Sequence, residues 1–143
     1  MSSAKEDCEA LINAVTPFAE HMLELYGEFL PFGGAMKPDN EIVSIGATTG
    51  NEQSKPVDLI QLLKQGFRRD AESGKFKATA LVYDSLFTPD STGVKTDAIA
   101  ISLNHREHYS VLVFIPYEIS DGKVSTRPAL ASKGEADIFF TKH

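Results

Sequence analysis

Residues 97–119, DAIAISLNHREHYSVLVFIPYEI, carry two alternating runs rich in β-branched residues on either side of the polar tetrad His105, Arg106, Glu107 and His108. Alternation at period two, bounded by polar residues, predicts two strands and a hairpin. Ile99, Ile101 and Leu103 share one side of the first strand; Tyr109, Val111, Val113 and Ile115 share one side of the second. A loop of odd length puts both sets on one face, with Leu103 opposite Tyr109 and Ile101 opposite Val111. A two-residue loop would set the β-branched residues against Ala98, Ala100 and Ser102 instead. Because a slip of one residue turns every side chain to the other face, burial selects the odd register. Arginine and glutamate are also poor at the positive φ angles that two-residue hairpin turns require.

The register decides what the tetrad can do. Across a two-residue loop the histidines would face each other with Cβ atoms about 5 Å apart, close enough to share a metal. The odd register removes that geometry, so no metal site is expected and the tetrad reads chiefly as a solvated turn. What remains is a possible ligand site: Arg106 offers a fork for a carboxylate or phosphate, and His105 or His108 could act as acid or base. Asp84 joins this set because it interrupts a strand between apolar Val82 and Leu86, and a buried carboxylate needs a partner or a raised pKa.

Away from the hairpin, apolar residues recur at 8, 11, 12, 15, 18, 19, 22, 25, 26 and 29, the spacing of an amphipathic helix. Thr16 and Pro17 predict a kink or restart within it, and Gly27 its end. Segments 31–36 and 41–48 flank the turn Lys37-Pro38-Asp39-Asn40 and predict a first hairpin. After a polar loop, Pro56 and Gly74 delimit a second helix over 56–73. A strand follows at 76–87, then the loop TPDSTG at 88–93, the central hairpin, an Asp121-Gly122 turn, a strand at 123–131 and a short final strand at 138–140. The order is α-β-β-α-β-β-β, an α+β single domain over 1–143 with two main helices and an antiparallel sheet of about five strands. This order resembles the profilin-like and roadblock-type arrangement, a likeness of topology that transfers no function.

The other face of the central hairpin, Ala98, Ala100, Ser102, Ser110, Leu112 and Phe114, pairs small residues with bulky ones and is not a polar surface. A helix on each face is the leading expectation there, with a homodimer interface and a small-molecule pocket as the alternatives. The 143 residues carry a net charge of −6, which argues against binding nucleic acid. The densest basic group, Lys64, Arg68 and Arg69, reads as solvated helix surface. Cys8 lies on a helical stripe with Leu11 and Val15 and reads as a buried structural thiol. The amino-terminal residues lack a signal-peptide pattern and no apolar run suits a bilayer, which predicts a cytoplasmic protein away from membranes.

Catalytic signatures are sparse. Gly46-Ala-Thr-Thr-Gly-Asn lacks the lysine and hydroxyl ending of a phosphate loop, and no HExxH, GxSxG or paired CxxC occurs. No cofactor is expected. The residues Leu30-Pro31-Phe32-Gly33, Asp97-Ala98-Ile99, His105-Arg106 and Pro116-Tyr117 resemble a pattern found in a family of small uncharacterised bacterial proteins. That resemblance implies a compact bacterial α+β domain and carries over no activity. The leading expectation is a non-catalytic interaction or adaptor module that self-associates, with a protein partner. The alternatives are a small-ligand protein or enzyme with its site at Asp84, His105, Arg106 and His108, and an acidic protein that masks a basic partner.

Overall fold

The computed structural model describes residues 3–46, 55–90 and 93–139. Its first helix, α1 (Ala4–Tyr26), starts where Ser3 and Glu6 form a reciprocal capping box, the Ser3 Oγ accepting from the Glu6 N–H and Glu6 Oε1 from the Ser3 N–H. It ends at Gly27, whose φ of 76° lets its N–H close on the Leu23 carbonyl. Pro17 neither breaks nor restarts the helix. The stripe Leu11, Val15, Ala19 and Leu23 is buried on both sides of it, so packing on the sheet outweighs the single hydrogen bond that proline cannot make.

The strands are β1 (Phe32–Met36), β2 (Ile42–Ile45), β3 (Ala78–Phe87), β4 (Thr96–His105), β5 (Tyr109–Ser120), β6 (Lys123–Thr126) and β7 (Leu130–Lys133), with α2 (Pro56–Glu72) between β2 and β3. All pairings described are antiparallel, in the order β2-β1-β3-β4-β5-β6, and β7 also pairs with β5. The class is α+β, with seven strands where about five were expected. One addition is a split: the register moves by one residue between Tyr117↔Thr126 and Phe114↔Leu130, so a bulge around Pro128 divides the predicted strand 123–131 into β6 and β7. Among the described residues the short last strand does not form. Ile138 is buried outside any strand, and Phe140 lies beyond the described residues.

The helices take opposite faces. α1 packs on the face of Ala80, Val82, Ile99, Ile101, Leu103 and Val113, while α2 packs through Leu63 and Phe67 against Ala35 and Leu81. Adjacent glycines in β1 allow both approaches. A Cβ on Gly34 would lie 2.8 Å from Val15 Cγ1, and one on Gly33 would lie 2.6 Å from Phe67 Cζ. Beyond the reach of α2 the second face is closed by other means. Phe87 of β3 and Phe114 of β5 stack at 4.4 Å across β4, where Ala98 and Ala100 leave them room.

The central hairpin keeps the expected odd parity with a different offset. Leu103 pairs with Val111, Ile101 with Val113 and His105 with Tyr109, so the loop is Arg106, Glu107 and His108. His108 takes a φ of 62°; Asn40 does the same at 76° in the loop of the first hairpin. Both are three-residue loops closed by a left-handed residue, which continues the strand twist without a glycine.

Candidate functional site

His105 is the last residue of β4 and extends the buried series Ile99, Ile101, Leu103. Only 1% of it is exposed, which corrects the reading of the tetrad as a solvated turn. Its Nε2 lies 2.8 Å from Asp7 Oδ2, and the same oxygen lies 3.1 Å from Lys77 Nζ. Its Nδ1 accepts the Glu107 N–H at 3.1 Å. A nitrogen that accepts carries no proton, so the imidazole is the neutral Nε2–H tautomer and donates to Asp7. The buried charges are then one carboxylate and one ammonium, which is the pairing a low-dielectric interior tolerates. The trio pins the start of α1 to the start of β3 and the end of β4. The Asp7 carboxylate and the His105 ring are almost wholly closed to solvent, which suits a structural clamp.

The other predicted residues do not gather around His105. Arg106, Glu107 and His108 are exposed, and the Arg106 N–H donates to the Lys77 carbonyl. Asp84 stands six residues along β3 from Ala78, the partner of His105, a separation of roughly 20 Å at the rise of a strand. There Tyr117 Oη donates to Asp84 Oδ1 at 2.7 Å. Burial raises the Asp84 carboxyl above its ordinary value; the Tyr117 bond offsets part of this, and the charges of Asp97 and Glu28 add to it. Burial and the adjoining carboxylate also hold the Tyr117 phenol well above its usual range.

Other reactive groups are also engaged. Burial, helped by the charge of Asp7, pushes the Cys8 thiol up to about 12, which leaves negligible thiolate at neutral pH. Among the described residues no three His, Cys, Asp or Glu side chains are placed to hold a metal. Lys64 and Arg68 are not a free basic surface. Lys64 Nζ lies 2.8 Å from Asp137 Oδ2, and Arg68 Nε donates to the Asp137 carbonyl at 2.8 Å. Together they fasten the segment that carries Ile138 into the α2 core.

What the sequence reading missed lies on the surface. Nine of the ten apolar positions counted fall on α1, and they span more of its circumference than one sheet can cover. That surplus was the available signal. Phe18, Leu25 and Tyr26 are exposed, with Leu30 just beyond the helix. Phe18, Tyr26 and Leu30 border a groove of about 470 Å³ that Met22, Phe29 and Phe32 also line, with Glu28 as its charged residue. A second hollow of about 270 Å³ continues from Phe18 and Phe32 to Ile42, Ser44 and Ile45 of β2.

The two sheet edges also differ. β6 carries Lys123, β7 carries Lys133, and the bulge between them holds Arg127 and Pro128, the devices that discourage strand addition. β2 reads Ile42-Val43-Ser44-Ile45, with neither charge nor proline. The Lys37 N–H to Glu41 carbonyl bond sets which pairs of the first hairpin are hydrogen-bonded. By alternation Ile42 and Ser44 point their backbone groups away from β1.

No family model, curated protein or solved structure matches the chain. No helix among the described residues is long and apolar enough to cross a membrane.

Proposed function

We propose that this chain is a non-catalytic, cytoplasmic interaction module that self-associates, two copies pairing through β2 about a two-fold axis. The observation that carries this reading is the contrast between the edges, one guarded by charge, proline and a bulge, the other uncharged and bordered by an apolar hollow. Among the described residues no strand pairs with the outer side of β2, and antiparallel addition of a second β2 would give the outward groups of Ile42 and Ser44 partners and extend the sheet. Two four-residue strands fall short of the ~1,200 Å² that a stable interface buries. The apolar hollow bordered by Ile42 and Ile45 adds to that area. Isologous pairing fits this geometry because the same strand serves both copies.

Sedimentation equilibrium up to ~1 mM tests the reading. The wild type is expected to dimerise. Ser44→Lys places a charge at the edge, and Ser44→Pro removes an outward N–H without touching the β1 ladder. Each is expected to weaken association at least roughly tenfold while leaving the circular dichroism unchanged. Ser132→Lys, the same substitution on β7, is expected to have no effect. A monomeric wild type, or equal effects of lysine at 44 and 132, would sink the proposal.

A further inference from the structure

The groove beside α1 holds a chemistry that strand pairing does not use. We propose that it binds an organic ammonium cation, a quaternary or apolar-bodied amine, between the last turns of α1 and the start of β1. Its walls are aromatic. The ring of Phe32 stands at 76° to Phe18 with centroids 4.9 Å apart, and at 66° to Phe29 at 5.8 Å. Phe32 meets both rings edge to face and stacks on neither, and Tyr26, 71% exposed, flanks the opening. Its volume of about 470 Å³ suits a small molecule.

The electrostatics select the sign of the guest. Glu28 is the charged residue in the lining, and among the described residues it pairs with no cation. The carbonyl end of α1 terminates at the same place, with no basic residue in its last turn to balance the partial negative charge. An anion is repelled, and a neutral apolar guest gains burial alone. A cation gains burial, ring attraction and the field of Glu28 together. The site lies on the α1 side of Phe32, apart from the outer edge of β2, so it does not rest on the self-association reading.

Choline and dimethylbutanol, its uncharged carbon isostere, separate the contributions. In a nitrogen-edited NMR titration of the whole chain, choline is expected to give saturable shifts at Phe18, Tyr26, Phe29 and Phe32. The isostere is expected to bind roughly tenfold more weakly. Glu28→Gln should weaken choline roughly threefold and leave the isostere unchanged; Tyr26→Ala, at an exposed position, should weaken choline again. The titration repeated on the Ser44→Pro variant should give the same affinity, which keeps the two proposals separable. Equal affinity for the two probes, insensitivity to Glu28→Gln, absence of saturation, or shifts centred elsewhere would each overturn the assignment.

Discussion

Replacing Asp7 by asparagine keeps the shape of the buried trio and removes its only negative charge. Lys77 then stands next to a neutral amide, with its side chain 9% exposed. Breaking a buried pair from one side typically costs 3–5 kcal/mol, chiefly because the surviving charge is left uncompensated. The asparagine oxygen still accepts the His105 Nε2–H, and the ammonium can shift toward water along its flexible stem, so the lower end applies, about 3 kcal/mol. With a urea m-value of ~2 kcal/mol per molar for a domain of this size, the unfolding midpoint should fall by about 1.5 M at unchanged slope. The assay is equilibrium urea unfolding at neutral pH followed by circular dichroism. Adding Lys77→Met to the same chain removes the orphaned charge and should recover more than about 1 kcal/mol, a non-additivity expected only if the two groups interact. A midpoint shift below about 0.5 M for Asp7→Asn, or a double variant no more stable than the single one, would refute the clamp.

Asp84 should respond in the opposite direction. Its raised pKa means that the ionised form weighs against the fold at neutral pH, a penalty that lifts as pH falls through the folded value and vanishes below the unfolded one. Asp84→Asn still offers an oxygen to Tyr117 and should raise Tm near pH 7 but match the wild type below about pH 4; a lower Tm at neutral pH would contradict this. Two glycines test the packing account by urea unfolding. Gly66→Ala in α2 meets nothing closer than 3.8 Å and should stabilise by up to about 1 kcal/mol. Gly33→Ala must displace Phe67 and the Ala80 carbonyl and should cost about 2 kcal/mol.

Local pattern made much of the fold legible, and distance in the chain set the limit. The parity of the central hairpin followed from which residues alternate, but three- and five-residue loops share that parity, so the pairing was displaced by two. Gly27 and Gly74 were readable because both take the positive φ expected at a helix end. His105 was misplaced because polarity was taken as exposure. Its partner Asp7 is 98 residues away, although it stands four residues before Leu11 on the same helical stripe. Lys64 and Arg68 looked solvated for the same reason, since the acidic segment they bind lies near the far end of the sequence. The bulge at Pro128 had a local signal in the proline itself, which suits a break in an edge strand.

The position of α1 in the chain sets an order of events during synthesis. Its apolar stripe is made first, yet the surface that buries it comes largely from β3, β4 and β5, which are complete only at Ser120. At ribosomal rates the stripe waits roughly 5 to 20 s for those strands. The Asp7–His105 contact therefore closes late, as a non-local contact in a sheet-dominated chain. The capping box at Ser3 and Glu6 needs no such wait. It can hold the first turn of α1 in place until the sheet is ready to receive it.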